Sequence, residues 1–318
     1  MNDVPPVGRV WNLARGALGT KALAVVTDLG VPDALAGGPR PVADVAREVG
    51  ANADSLHRFL RALASDGVFD EVEPGVFRNN DASELLRSDG SWRDFAHLFG
   101  GSWYQAVGDA EAMTGEATWP RTFGTDFWSW LAEHSDERAS FDRAMAEGWE
   151  RRLDRIAGLP WREGETVVDV GGGSGSLLLR LVERHPGLRA IVFDLPETVR
   201  DEAALARAGC TFVTGSFFER VPAGDVYILG TILHDWEDEP AAAILRTIRD
   251  NAAASARVLI IDAVIPAGNE PHGAKWLDLL MLVIGGRERA ADEWRALIEG
   301  AGLQVDALDD GLIQASCP

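Results

Sequence analysis

Cysteine is scarce: the 318 residues include only Cys210 and Cys317. They supply neither a disulfide framework nor a metal cluster, so ordinary reduced thiols are expected. Basic residues are also few, with 30 Lys and Arg against 50 Asp and Glu, a formal net charge of −20. Such a chain repels nucleic acid and anionic membrane surfaces unless a local basic patch overrides the field. No apolar run is long enough to cross a membrane. The opening "MNDVPPVGRVW" lacks the basic segment and apolar core of a secretory signal. Internal repeats and low-complexity segments are absent, and no His or carboxylate spacing calls for a metal. These absences lead us to expect a soluble, cytoplasmic, metal-free protein. The composition, 46% apolar and 25% charged, is that of a globular chain long enough for one large domain or two ordinary ones.

Residues 1–90 read as short helices followed by a hairpin. In "NADSLHRFLRALASDG", Leu56, Phe59, Leu60 and Leu63 recur at helical spacing, with Asn52 or Asp54 as the cap. "PVADVAREVG" is a shorter helix stopped at Gly50, and "VFDEVEPGVFR" gives two strands about Pro74-Gly75. Together these make a winged helix. Arg58 and Arg61 on its second helix invite a DNA-binding reading. Nine Lys and Arg against thirteen Asp and Glu in this region favour a structural or dimerising role instead. Residues 91–160 are helical and aromatic ("SWRDFAHLFGGSWYQAV", "GTDFWSWLAEH", "ERASFDRAMAEGWERRLDRIAG"), a linker expected to contribute to a substrate pocket. Eleven tryptophans exceed ordinary need, and a cavity for a flat apolar ligand would use some of them, Trp103 included.

From residue 161 to 318 strands and helices alternate. "TVVDVG", "RAIVFDL", "CTFVTG", "DVYILG" and "RVLIIDAVI" read as strands of a mostly parallel sheet with helices on both faces, an α/β Rossmann-like domain. The tail "LQVDALDDGLIQASC" fits two antiparallel strands closing one edge. After the first strand comes Asp169-Val170-Gly171-Gly172-Gly173-Ser174-Gly175. A dinucleotide turn wants G-x-G-x-x-G, which fits only if Ser176 replaces the last glycine. The better fit is an acidic residue followed by alternating glycines, Asp169, Gly171, Gly173 and Gly175. A carboxylate there suits a cationic cofactor rather than a pyrophosphate, and S-adenosylmethionine carries an ammonium and a sulfonium. Asp194, at the end of the second strand, can accept hydrogen bonds from ribose hydroxyls, a device that nicotinamide sites share.

His234 follows the fourth strand in "YILGTILHDWEDEP", on the sheet edge where α/β proteins keep their chemistry. Asp262, at the end of the fifth strand, is expected beside it, and Glu288 in "GGRERAADEW" can approach from the other side. A carboxylate holds an imidazole in one tautomer. A phenol, with a pKa of about 10, needs such a base to become a nucleophile at neutral pH.

From the first helix to the C-terminus the chain resembles the S-adenosylmethionine-dependent O-methyltransferases of plant phenolics and bacterial aromatic polyketides. The matching stretches are "VVDVGGGSG", "FDLPETV", "GSFFERVPAGDVYILGTILHDWEDE" and "GGRERAADEW". The resemblance implies an N-terminal winged helix that forms a homodimer and a Rossmann-like domain that binds the cofactor and releases S-adenosyl-L-homocysteine. It implies His234 as catalytic base flanked by Asp262 and Glu288, Asp194 as the ribose carboxylate with Leu195 beside it, and Gly171 and Gly173 as the cofactor turn. Phe141 and Met145 match residues packing a flat acceptor; Leu280 and Met281 match pocket positions more loosely. Two departures stand out: Ser216 where many relatives have an adenine-contacting Asp, and Gly230 where plant members have Lys. Adenine recognition then falls to Phe217 and backbone groups.

The expected activity is O-methylation of a small aromatic natural product in antibiotic biosynthesis. The preferred acceptor is a hydroxylated naphthoate or related polyketide acid, its carboxylate met by Arg9 or Arg15, across the dimer if need be. Three alternatives remain at this stage. They are a methyltransferase fold using its cofactor non-methylatively, a winged-helix regulator sensing a ligand, and a nicotinamide dehydrogenase.

Overall fold

A computed structural model describes residues 5–108, 117–146, 150–196, 198 and 202–318. The chain forms two compact units, Met1–Gly108 with Asp136–Ala144, and Asp109–Ser135 with Met145–Pro318. The aromatic stretch 91–160 is thus divided between them. No helix among the described residues is long and apolar enough to cross a membrane.

The first unit runs α1 (Pro6–Asp28), α2 (Val31–Ala34), β1 (Arg40–Pro41), α3 (Val42–Glu48), α4 (Ala53–Ser65), β2 (Asp70–Glu73), β3 (Val76–Arg78), α5 (Asp81–Glu84), α6 (Arg93–Gly100) and α7 (Ser102–Val107). On α4, Leu56, Leu60 and Leu63 are buried with Val26, Leu35, Val45 and Phe77, while Phe59 is only partly covered. Asn52 is the cap: its side-chain oxygen accepts from the Ser55 N–H at 3.0 Å, a contact typically worth about 1 kcal/mol. Strands β2 and β3 pair antiparallel about Pro74-Gly75, and β1 adds to β3, so the expected wing gains a third strand. The first half of α1 leaves Val7, Val10, Trp11, Leu13 and Leu18 exposed.

An ion cluster ties three helices of this unit together. His97 on α6 lies 2.9 Å from Asp28 on α1 and 3.4 Å from Glu137 on the helix at 135–146. Hydrogen bonds to these two carboxylates hold the imidazole pKa at about 10. Folding raises this pKa, so the stabilisation is complete below the ordinary value near 6.5 and is lost as pH rises through about 10. His97→Gln is expected to lower the melting temperature at pH 7. The deficit against the parent should shrink as pH rises from 7 toward 10 and be gone above it when thermal unfolding is followed across pH. A deficit constant with pH would show that packing rather than charge is lost.

The second unit begins with α8 (Trp119–Phe123) and α9 (Phe127–Glu133), followed along the chain by α10 (Ser135–Ala146) and α11 (Glu150–Ala157). The helical stretch read from "ERASFDRAMAEGWERRLDRIAG" is represented by α10 and α11; residues 147–149 lie outside the described residues, as do Glu197 and Val199 of "FDLPETV". Trp119 is fully buried among Phe123, Phe127 and Trp130, with ring centroids 4.5–5.2 Å away, so these aromatics are core.

The sheet elements are β4 (Thr166–Val170), α12 (Ser176–Arg184), β5 (Arg189–Asp194), α13 (Glu202–Arg207), β6 (Cys210–Thr214), β7 (Val226–Gly230), α14 (Asp238–Asn251), β8 (Arg257–Ile261), β9 (Val264–Ile265), α15 (Ala274–Ile284), β10 (Arg289–Ala290), α16 (Ala291–Gly300), β11 (Gln304–Asp309) and β12 (Leu312–Ser316). Seven strands form one sheet in the order β11-β12-β8-β7-β4-β5-β6. Strands β4 to β8 are parallel and the β11–β12 hairpin closes one edge antiparallel, as its sequence suggested. The β-branched runs of β4, β7 and β8 are buried on both faces, where a parallel sheet covered by helices needs them. Chain direction changes sides between β4 and β7, and such a switch point opens a crevice at the C-terminal strand ends.

Candidate active site

The glycine turn leaves β4 at that crevice. Gly171 has φ 71°, and a Cβ there would lie 2.4 Å from the Ile232 side chain, so both backbone sign and space exclude any other residue. The Gly171 N–H donates to Phe193 O (2.8 Å) and the Gly173 N–H to Asp194 Oδ2 (2.7 Å). Asp194 Oδ1 accepts from Leu195 N–H (2.6 Å) and Thr198 Oγ1 (2.8 Å). A carboxylate offers about four acceptor sites, so Asp194 has capacity left for a hydroxyl of a ligand.

Asp169 differs. It is 3% exposed, and its Oδ2 has no hydrogen-bond partner among the described residues. Burial, with Asp194 nearby, pushes its pKa up to about 7. An orphaned buried carboxylate beside a turn of open backbone suits a cationic group and disfavours a pyrophosphate, the choice the spacing pointed to.

Across the switch point, β7 ends at Gly230. Thr231 takes a positive φ of 54° before a single 3₁₀ turn, Leu233–Asp235, presents His234. Its Nδ1 lies 2.7 Å from Glu288 Oε1 and 3.7 Å from Asp262 Oδ1. A carboxylate only accepts, so Nδ1 carries the hydrogen and Nε2 faces the other way, 3.5 Å from Asp235 Oδ1. Burial works against the imidazolium, yet Asp262, Asp235 and Glu288 outweigh it and raise the His234 pKa to about 10. Burial raises Asp235 to about 7, with His234 pulling it down and Glu288 pushing it up. The cluster therefore holds protons to high pH, and the imidazole can receive one at Nε2 only after giving up its own.

The structure thus brings His234, Asp262 and Glu288 together, and sets Asp194 and Leu195, at the end of β5, against the glycine turn that carries Gly171 and Gly173 after Asp169 of β4. Ser216 and Phe217 follow β6; the Ser216 hydroxyl accepts from the Phe218 N–H at 3.3 Å. The Phe217 ring reaches to 3.8 Å from a Cβ built on Gly171 and meets Trp236 edge to face, linking the glycine turn to the His234 turn. Leu280 and Met281 are buried on α15, and Met145 is half-buried. Trp103, buried on α7 against Phe99, and half-buried Phe141 on α10 belong to the first unit. Arg15 is also there, its guanidinium engaged by both oxygens of Asp66. Sequence reasoning missed Asp235, although its place directly after His234 was the available signal.

Residues 103–304 match the model of the O-methyltransferase domain and residues 11–89 that of the O-methyltransferase dimerisation domain. The chain belongs to the O-methyltransferase family and is an enzyme of that class. It is 38% identical over 316 residues to the phenazine O-methyltransferase PhzM of Lysobacter antibioticus, spanning 95% of this chain and 92% of that one. The solved structure of LaPhzM superposes with a TM-score of 0.91 at 36% identity, covering 99% and 100% of the two chains. The O-methyltransferase NcsB1 of neocarzinostatin biosynthesis, solved with S-adenosyl-L-homocysteine and 1,4-dihydroxy-2-naphthoic acid, gives 0.79 at 35% identity over 94% and 95%.

Asp169→Asn separates stability from binding. The folded pKa lies above the ordinary carboxylate value, so the parent loses stability as pH rises from about 4 to about 7. The variant is expected to melt higher than the parent at pH 8, with the gain shrinking as pH falls toward 4. Its calorimetric affinity for S-adenosyl-L-homocysteine should drop. Unchanged affinity would remove Asp169 from the cofactor site.

Proposed function

We propose that this enzyme transfers the methyl group of S-adenosylmethionine to a phenolic hydroxyl of a small aromatic natural-product intermediate, of hydroxynaphthoate type, with His234 as general base. The observation that carries the reading is the buried imidazole locked by Glu288 at Nδ1, on the same sheet edge as the orphaned Asp169. The family, and a relative solved with the demethylated cofactor and a dihydroxynaphthoate, support it. The pair of solved ligands favours methyl transfer over the nicotinamide and non-methylative alternatives.

In this assignment Asp169 receives the cofactor's ammonium, the Gly171 and Gly173 backbone lets it approach, and Asp194 takes the ribose hydroxyls. Leu195, Ser216, Phe217 and Gly230 border the adenine. When bound, the cofactor supplies an electrophilic methyl group on a positively charged sulfur. His234 Nε2 would take the acceptor's hydroxyl proton as that oxygen becomes the nucleophile, while Glu288 and Asp262 hold the imidazolium that forms. A phenol pKa of about 10 equals that of His234 in this cluster, so the transfer between them is nearly isoenergetic. Leu280, Met281 and Met145 provide apolar acceptor contacts. The dimerisation domain and the exposed apolar face of α1 fit a homodimer.

His234→Ala is expected to lower kcat by about 10²–10⁴-fold. Its affinity for S-adenosyl-L-homocysteine by calorimetry should be unchanged. In the parent, kcat/KM should climb by about tenfold per pH unit from 7 toward 10, because His234 must lose its proton or the acceptor must arrive as phenolate. A mass-shift screen over phenols and aromatic acids supplies the acceptor. Undiminished methylation by His234→Ala would overturn the general-base assignment.

A further inference from the structure

The segment that brings Glu288 to the imidazole does more than deliver one carboxylate. After α15, Gly286 passes so close to the His234 turn that a Cβ on it would lie 2.2 Å from His234 O. The next residue donates its backbone N–H to that same carbonyl, Arg287 N to His234 O, at 2.8 Å. Two residues on, the Arg289 side chain is fully buried beneath the turn. Its Nη1 donates to Leu233 O (3.0 Å), its Nη2 to Trp236 O (2.8 Å) and its Nε to Asp238 Oδ1 (2.9 Å). The carbonyls of residues 233, 234 and 236 are thus each held by a donor from the 287–289 segment. The guanidinium also lies 5.2 Å from the Trp294 ring centroid, and the Trp294 indole N–H donates to Ala263 O, next to Asp262.

Burying a guanidinium is costly unless nearly every donor is matched. Asp238, its one carboxylate among the described residues, is more than half exposed, so the remaining pairing comes from backbone carbonyls, Leu233 O and Trp236 O of the catalytic turn and, at 3.4 Å, Arg287 O. Only a planar fork reaches three acceptors on two sides of one residue; a lysine ammonium is a point charge. We infer that Arg289 is a positioning residue for His234: it fixes the backbone on both sides of the imidazole so that Nδ1 stays on Glu288 and Nε2 stays turned to the acceptor. It touches neither cofactor nor substrate and acts through the turn. This rests on His234 being the base.

The test uses Arg289→Lys and Arg289→Met of the full chain, with His234→Ala in parallel. A proton held between Nδ1 and a buried carboxylate gives a downfield proton NMR signal that requires no substrate, and His234→Ala identifies it by its loss. Arg289→Lys should shift or broaden this signal, and Arg289→Met should abolish it, with the calorimetric affinity for S-adenosyl-L-homocysteine unchanged. Should Arg289→Met fail to fold, Arg289→Lys carries the measurement. On the phenol found by the screen, kcat of Arg289→Lys should fall by about ten- to a hundredfold at unchanged KM. On a ring-fluorinated form of that phenol, whose hydroxyl ionises more readily, the loss should shrink, because a phenolate needs no base. A merely structural residue would affect both acceptors alike. An unmoved NMR signal with kcat equal to the parent's overturns the role of Arg289. If His234→Ala itself shows no dependence on acceptor acidity, the base reading fails, while the NMR shift still reports whether Arg289 holds the imidazole.

Discussion

A carboxylate taken out of water must find a cation, find donors, or keep its proton, and the second unit is organised around four that face this choice at one sheet edge. Asp262 and Glu288 are almost fully buried and Asp235 nearly so, and the His234 imidazole lies within 4 Å of all three. Three anions around one cation leave an excess of negative charge, which retains the imidazolium to high pH, while Asp235 is pushed up chiefly by burial and further by Glu288. On the other side of the switch point, Asp169 Oδ2 has no partner among the described residues. The edge thus combines a proton store with an anion awaiting a positive ligand. Those are the two requirements for transferring a group from a cationic donor to an oxygen that must shed a proton.

Holding charges in such an arrangement demands a stiff support. Strands β4, β7 and β8 supply it, being paired on both sides and covered on both faces. The connections leaving them are short, and one carries backbone strain: Thr231 adopts a conformation that few residues other than glycine accept. The two-residue parallel pair of β9 and β10 sets Arg289 against Val264 and thereby places Glu288 near Asp262. Positioning of the imidazole is consequently a property of three chain segments far apart in sequence.

That distance in sequence explains what could be read beforehand. Local signals were sufficient for the glycine turn, the parallel strands, the closing hairpin and the cap at Asn52, because each depends on near neighbours and on periodicity. His234 was legible from its place after a strand. Asp235 was signalled only by its place directly after His234, and Arg289 not at all, since a guanidinium under a turn depends on partners that only the folded chain brings close. The same holds for Arg15: its charge suggested a carboxylate ligand, and the fold supplies one in Asp66. The His97 cluster likewise joins residues separated by 69 and 40 positions, with nothing local to announce it.

The adenine end of the site follows a different logic from the methyl end. Ser216 stands where many resembling chains place an aspartate, and its hydroxyl is already used to accept the Phe218 N–H. A hydroxyl so engaged has less to offer the polar edge of a purine than a free carboxylate would. Phe217 offers a ring instead, held between the glycine turn and Trp236, and stacking of a base on an aromatic contributes about 1–3 kcal/mol without reading its polar edge. Recognition of the base would then rest on shape and apolar contact, while charge is read at the amino-acid end by Asp169. Discrimination among nucleosides would be weakened by that division. Discrimination for a cation is not, because an unpaired buried carboxylate gains most from the ligand that brings the missing charge.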